Sequence, residues 1–291
     1  MQELLTVRGL TRRYDRFTLD HIDFSLPYGS IMGLMGDNGA GKTTTLKLIL
    51  NLIRRDEGEV LVFGKDNITC EREIKEEIGV VFDECHFSDL LRPADLGRIF
   101  SQVYRSWDSA SYKVLLDRFS LPGRAEIKTL SRGMKMKLSL ACALAHHPRL
   151  LILDEATGGL DPVARSELLD LLLEFIQDES RSVLVSSHII SDLERICDTI
   201  GYLHEGRMVF YQEKDALLER LGVLHCGEGD LALLEPEFLL RVRRHQFGCD
   251  ALVDCRESIR NRHPDWALDR ATLEEIMLFY AKGEERLRGC S

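Results

Sequence analysis

The chain has 291 residues and a formal net charge of -10, with 44% hydrophobic and 30% charged residues. This length exceeds one average domain, so one large domain with a smaller appendage is expected. An acidic balance of this size excludes a broad nucleic-acid surface and a generally basic membrane-binding face.

Eight cysteines, at positions 70, 85, 142, 197, 226, 249, 255 and 290, form no Cys-x-x-Cys pair and show no zinc-type spacing with histidine. They are expected as small core residues or free thiols in a reducing compartment. The opening stretch from Met1 to Leu5 lacks the basic and apolar regions of a targeting signal. No apolar run approaches the roughly 18 residues of a membrane span, so any span is expected from another chain.

In chain order, residues 4–10 and 17–26 alternate apolar and polar side chains around a charged turn and predict short antiparallel strands. Tyr14 falls in that turn. It is either a half-buried turn residue or, lying shortly before a glycine loop, an aromatic that stacks on a base. The apolar run Ile31 to Met35 leads into Gly36, Asp37, Asn38, Gly39, Ala40, Gly41, Lys42, Thr43 and Thr44, and then an apolar-periodic stretch from Leu46 to Ile53. Gly-x-x-x-x-Gly-Lys-Thr between strand and helix is the pattern of a phosphate cradle. Its glycines let backbone N–H groups turn inward, and the helix aims its positive end at the same point. Lys42 supplies a point charge for β- and γ-phosphates, and the Thr43 hydroxyl suits a Mg²⁺ bridging them.

Residues 54–59 are expected as a solvated charged loop, followed by a strand from Val60 to Phe63 and a short helix from Glu71 to Glu77. An apolar strand, Ile78 to Phe82, ends in Asp83 and Glu84. From Pro93 to about His147 the pattern is helical, with Leu96, Ile99, Phe100 and Val103 on one face and Val114, Leu115, Phe119 and Leu121 in a second helix. Leu130, Ser131, Arg132, Gly133 and Met134 open a third, with Ser131 placed as its N-cap. Leu150 to Leu153 predicts a buried strand bearing Asp154 and Glu155 at its C-terminal end, the edge where open α/β sheets bind ligands.

Gly158 to Pro162 is expected to turn into a helix over 163–175, and a strand over 182–185 runs to Ser186, Ser187 and His188. A helix over 189–197 and strands over 200–203 and 208–211 follow. This rhythm predicts the α/β class: a mostly parallel core sheet covered by helices, an N-terminal antiparallel β subdomain and a helical insertion over about 85–147. Residues 213–291 carry no further nucleotide motif and are expected as a small accessory domain with helices beginning near Glu213, Pro236 and Thr272. Thr272 and Glu275 have capping-box spacing. Arg241, Arg243 and Arg244 are expected as a solvated helix face, lipid headgroup contact being the alternative.

The succession of phosphate loop, Asp83, Leu-Ser-Arg-Gly-Met, a Leu-Leu-Ile-Leu-Asp-Glu strand, Gly-Leu-Asp and then His188 resembles the P-loop ATPase subunit of ATP-binding-cassette transporters, over residues 1–212. The resemblance implies that Gly36 to Thr44 hold ATP, Tyr14 lies under adenine, and Asp154 holds Mg²⁺ through water. It makes Glu155 the group that polarises the attacking water and His188 the donor to the γ-phosphate. Ser131, Gly133 and Asp161 would reach the ATP of a second cassette, in a head-to-tail homodimer. Many members carry glutamine where this chain has Asp83, whose carboxylate would ligate Mg²⁺ but repel phosphate.

The resemblance further implies ATP hydrolysis coupled to a separate membrane-spanning permease, at the cytoplasmic face of the cell membrane. The tail over 271–280 is similar to that of ATPases paired with separately encoded exporter permeases, and the Leu-Ser-x-Gly-Met signature with an acidic residue at 83 is similar to that of members which export amphipathic or antimicrobial peptides. Nucleic acid is not an expected partner; the alternative is a soluble cassette acting on ribosomes or DNA.

Overall fold

Three apolar runs, Ile31–Gly36, Leu150–Asp154 and Ser182–Ser187, are buried along their whole length. Strands of that kind need cover on both faces, which a parallel sheet flanked by helices provides. The computed structural model describes residues 3–285. The chain forms two compact units, one ending at Tyr211 and one beginning at Gln212.

In the first unit, β1 (Glu3–Tyr14) and β2 (Phe17–Pro27) pair antiparallel, and β3 (Ile31–Gly36) leads through the glycine loop to α1 (Lys42–Ile49). β4 (Glu57–Val62) and β5 (Lys65–Asp66) extend the hairpin into a four-stranded antiparallel sheet, order β2-β1-β4-β5. Then come α2 (Glu71–Glu76), β6 (Ile78–Val81), α3 (Pro93–Val103), α4 (Ser109–Arg118), α5 (Arg132–Leu144), β7 (Leu150–Asp154) and α6 (Pro162–Phe175). β8 (Ser182–Ser187), α7 (Ile190–Ile196), β9 (Thr199–His204) and β10 (Arg207–Glu213) follow. The core sheet has the order β10-β9-β3-β8-β7-β6, and the pairs β9–β3, β3–β8, β8–β7 and β7–β6 are parallel.

Several local expectations need correction. Tyr14 is the last residue of β1 rather than part of the turn, and α1 starts at Lys42 because Gly41, with φ of 112°, takes the N-cap position. The charged run over 54–59 is not free loop: Asp56 holds Arg12 at 2.8 Å, and Glu57, already in β4, holds Arg13 at 2.6 Å. These ion pairs help lay β4 against β1. In the helical insertion, Leu96 is buried and Phe100 packs against its core, but Ile99 and Val103 of the same stripe are exposed, as is Val114 of α4. The helices of the insertion bury only one flank each.

The second unit consists of α8 (Lys214–Arg220), β11 (Gly222–Cys226), α9 (Glu228–Leu233), β12 (Leu239–His245), β13 (Gly248–Val253), α10 (Arg256–Arg262), β14 (Ala267–Arg270), α11 (Leu273–Lys282) and β15 (Glu284–Glu285). Its strands are antiparallel in the order β14-β11-β13-β12-β15. From β11 to β14 this is a β-α-β-β-α-β succession of the ferredoxin-like kind. Helices do begin after Glu213 and Thr272, and Thr272 and Glu275 form the capping box. No helix begins near Pro236, which lies in a turn before β12.

Arg241, Arg243 and Arg244 therefore sit on a strand, not a helix face. Strand alternation sends Val242 into the core with Leu224, Ala251, Val253 and Leu268. Arg241 and Arg243 point the other way, over the rings of Tyr280 and Phe279 at 5.1 and 5.6 Å. Arg244 is paired with Glu228 and Glu284.

Candidate active site

The glycine loop is shaped from two sides. A Cβ at Gly36 would lie 2.4 Å from the Leu203 carbonyl oxygen, and one at Gly41 would lie 2.8 Å from Leu19 and 3.0 Å from Phe17. Gly206 N–H donates to the Ala40 carbonyl at 3.1 Å, and Ala40 N–H to that of Asp37 at 3.1 Å. No larger residue fits at these points, so the loop is a preformed concavity of backbone. Thr43 and Thr44 are half-buried at the start of α1.

Lys42 leaves that helix start and is only 6% exposed. Its ammonium donates to the carbonyls of Gly36 at 2.7 Å and Asp37 at 3.2 Å, and lies 3.1 Å from Glu155 Oε1. The other Glu155 oxygen, Oε2, accepts a hydrogen bond from His188 N–H at 3.3 Å and faces the His188 Nδ1. The carboxylate is thus suspended between a lysine and a histidine. Burial pushes the Glu155 carboxyl up, but Lys42 and His188 together outweigh it and hold its pKa below the ordinary value.

Backbone geometry aims these groups. Glu155 has φ of 52°, a left-handed conformation uncommon outside glycine, which bends the chain sharply just past the end of β7. Its N–H donates to the Ser186 carbonyl at 3.1 Å. Beside it Asp154, 3% exposed, accepts from the Ser186 hydroxyl at 2.6 Å. Ser186 thus orients both acidic residues, a role the sequence did not announce, although its place two residues before His188 at a strand end was the available signal.

The structure brings Gly36, Asp37, Lys42, Glu155 and His188 together, with Asp154 alongside. Asp83 stays outside that cluster: it is exposed and lines, with Glu84, Arg132 and Lys135, a cavity of about 340 Å³. Tyr14 is 43% exposed, with the Arg12 guanidinium 5.1 Å from its ring centre. Ser131, Gly133 and Asp161 form a separate edge. Ser131 caps α5 by accepting from Met134 N–H at 3.3 Å, and Asp161 caps α6 by accepting from Val163 and Ala164, both at 3.0 Å.

No group of three or more His, Cys, Asp or Glu side chains among the described residues is arranged to hold a metal ion. A hard cation here would draw on phosphate, water and the Thr43 hydroxyl. The preformed loop with its buried lysine fits a polyphosphate.

The ABC transporter family model matches residues 19–158. Over 212 residues the chain is 32% identical to the bacitracin transport ATP-binding protein BcrA of Bacillus licheniformis, covering 72% of this chain and 69% of that protein. The chain belongs to the ABC transporter ATP-binding family. The lantibiotic transport ATP-binding protein SrtF of Streptococcus pyogenes is 31% identical over 73% of this chain and 92% of its own. A solved ATP-binding subunit of an ABC transporter superposes with a TM-score of 0.68 at 28% identity, over 74% of this chain and 92% of that one.

As an ABC transporter ATP-binding subunit, this protein binds and hydrolyses ATP to power transport. A soluble cassette acting on ribosomes or DNA does not fit these relatives. No helix among the described residues is long and apolar enough to cross a membrane.

Proposed function

We propose that two copies of this ABC subunit clamp ATP head to tail and drive the export of peptides or peptide-like drugs through a permease at the cytoplasmic membrane face. The observation that carries this reading is the Glu155 carboxylate, held at the sheet's carboxyl edge between Lys42 and His188. A phosphate oxygen entering the loop would compete with Glu155 for the Lys42 ammonium. Glu155 then turns to the attacking water and polarises it, while His188 donates to the γ-phosphate. Thr43 and Asp154, with Asp83 at the rim, would hold Mg²⁺, which neutralises charge building on the phosphates.

One loop covers only one side of the triphosphate. The capped start of α5, with Ser131 and Gly133, would cover the other side from the second copy, and Asp161 would approach across the same seam. Tyr14 would supply the platform under adenine. For the permease, Ile68, Thr69, Val103 and Tyr104 line a groove of about 630 Å³, rimmed by charged residues of α2, which suits a short amphipathic segment.

Gel filtration of Glu155→Gln with ATP tests the clamp: a nucleotide-dependent dimer is expected, and a persistent monomer refutes it. Co-expression with a candidate membrane-spanning permease tests the coupling. The cassette should then extract with detergent-solubilised membranes, and should remain unbound when the permease is omitted.

A further inference from the structure

The loop between β7 and α6 is packed on both sides by chemically active neighbours. On one side, a Cβ at Gly158 would lie 3.1 Å from the Glu155 carbonyl oxygen and 3.9 Å from His188 Cε1. On the other, a Cβ at Gly159, where φ is 70°, would lie 2.8 Å from the Arg132 guanidinium carbon and 3.2 Å from its Nε. The guanidinium of the otherwise exposed Arg132 therefore lies against the Gly159 backbone, where a Cβ could enter only by displacing it. Two further contacts run in parallel: Gly133 approaches Leu160 and Ala164, and Lys137 of α5 pairs with Glu167 of α6 at 2.6 Å. The start of α5 is thus registered against the start of α6, and Arg132 also forms part of the wall beside Asp83 and Glu84.

We propose that Arg132 is a positioning residue for hydrolysis: through Gly159 it sets the Ser131–Gly133 corner in register with the Glu155–His188 pair. The two surfaces serve different nucleotides in the head-to-tail arrangement, on which this inference rests. The corner that one copy offers its partner and the water-polarising group of that same copy then adopt a single arrangement. A guanidinium suits this task because it is planar, always charged and able to lie flat on a peptide. An ammonium is a compact point charge and cannot.

Steady-state hydrolysis by the full chain tests this with Arg132→Ala, Arg132→Lys and Gly159→Ala. Arg132→Ala should lower kcat about 10- to 100-fold, the scale expected when reacting groups are slightly misplaced, and flatten the cooperativity in ATP. Binding of a fluorescent ATP analogue to the monomer should stay within about twofold, since Arg132 touches none of the Lys42 loop. Arg132→Lys should recover less than half of the lost rate. Gly159→Ala should cost a larger factor with Arg132 present than in the Arg132→Ala background, because part of its cost is the clash with the guanidinium.

A kcat within about twofold of wild type in Arg132→Ala, or equal costs of Gly159→Ala in both backgrounds, overturns the proposal. So does a change confined to KM. If Glu155→Gln forms no dimer with ATP, the clamp and this inference fall together. If it dimerises while Arg132→Ala stays fully active, only the positioning role falls. Should Arg132→Ala melt early, the Lys and Gly159 variants carry the test.

Discussion

The Lys42 cluster and the Ser131 edge are built from similar parts, a helix start and a glycine turn each, yet they differ in how far they complete themselves. Lys42 is 6% exposed and has three oxygen partners, two of them carbonyls and one the Glu155 carboxylate. Ser131 and Asp161 are exposed, and the contacts that hold them are caps of their own helices. The first region is a folded, internally balanced charge system. The second is an exposed rim of two capped helix starts, and the positive end of a helix at a surface is a place where an anion can bind.

The sharpest way to break this contrast is Glu155→Gln, which should lower kcat by about 10²–10⁴-fold while ATP binding persists. If hydrolysis survives at near wild-type rate, the buried cluster is structural and the comparison loses its meaning. Tyr14→Ala should come next, raising the KM for ATP about 5- to 150-fold if a stacking contact of about 1–3 kcal/mol is lost. An unchanged KM would leave Tyr14 as the end of β1 and nothing more. Asp83→Ala should raise the Mg²⁺ concentration for half-maximal hydrolysis by about tenfold, and an unchanged Mg²⁺ dependence together with unchanged coupling removes Asp83 from the site.

Smaller effects sharpen the picture of the buried side. Ser186→Ala leaves the Asp154 carboxylate without its buried hydroxyl donor and should lower unfolding stability by about 1–3 kcal/mol, read from urea denaturation. The smallest effect concerns pH. Lys42 and His188 hold the folded pKa of Glu155 below the ordinary value of 4.5. The stabilisation this gives is fully present above the unfolded value and is lost as pH falls through the folded one. Urea midpoints of wild type and Glu155→Gln should therefore converge as the pH is lowered beneath the ordinary glutamate range.

Much of the first unit was legible because its signals are local and mutually ordered. Continuous apolar runs announced β3, β7 and β8, and Ser131 and Thr272 announced caps that the structure places where expected. Tertiary partnership was not legible. The place of Ser186 before His188 at a strand end marks it as near the site, but which residue it holds depends on the register of Asp154 against Ser186 in the neighbouring strand. Arg241 to Arg244 misled for a related reason: charged residues on a strand that stack over the rings of a following helix look, in sequence, like a solvated surface. The alternation of Arg241, Val242 and Arg243 was the signal that favoured a strand.

The β1–β2 hairpin carries a consequence for nucleotide choice. Its turn, Asp15 and Arg16, separates Tyr14, the candidate base platform, from Phe17, which presses on Gly41 of the phosphate loop. With Tyr14 under the base as proposed, a single ribbon would gauge both extremities of the nucleotide, as a calliper does. Adding or deleting one residue there would rotate Tyr14 and Phe17 to opposite faces of the ribbon, so the tolerance for a different base and the tolerance for a different phosphate length should change together.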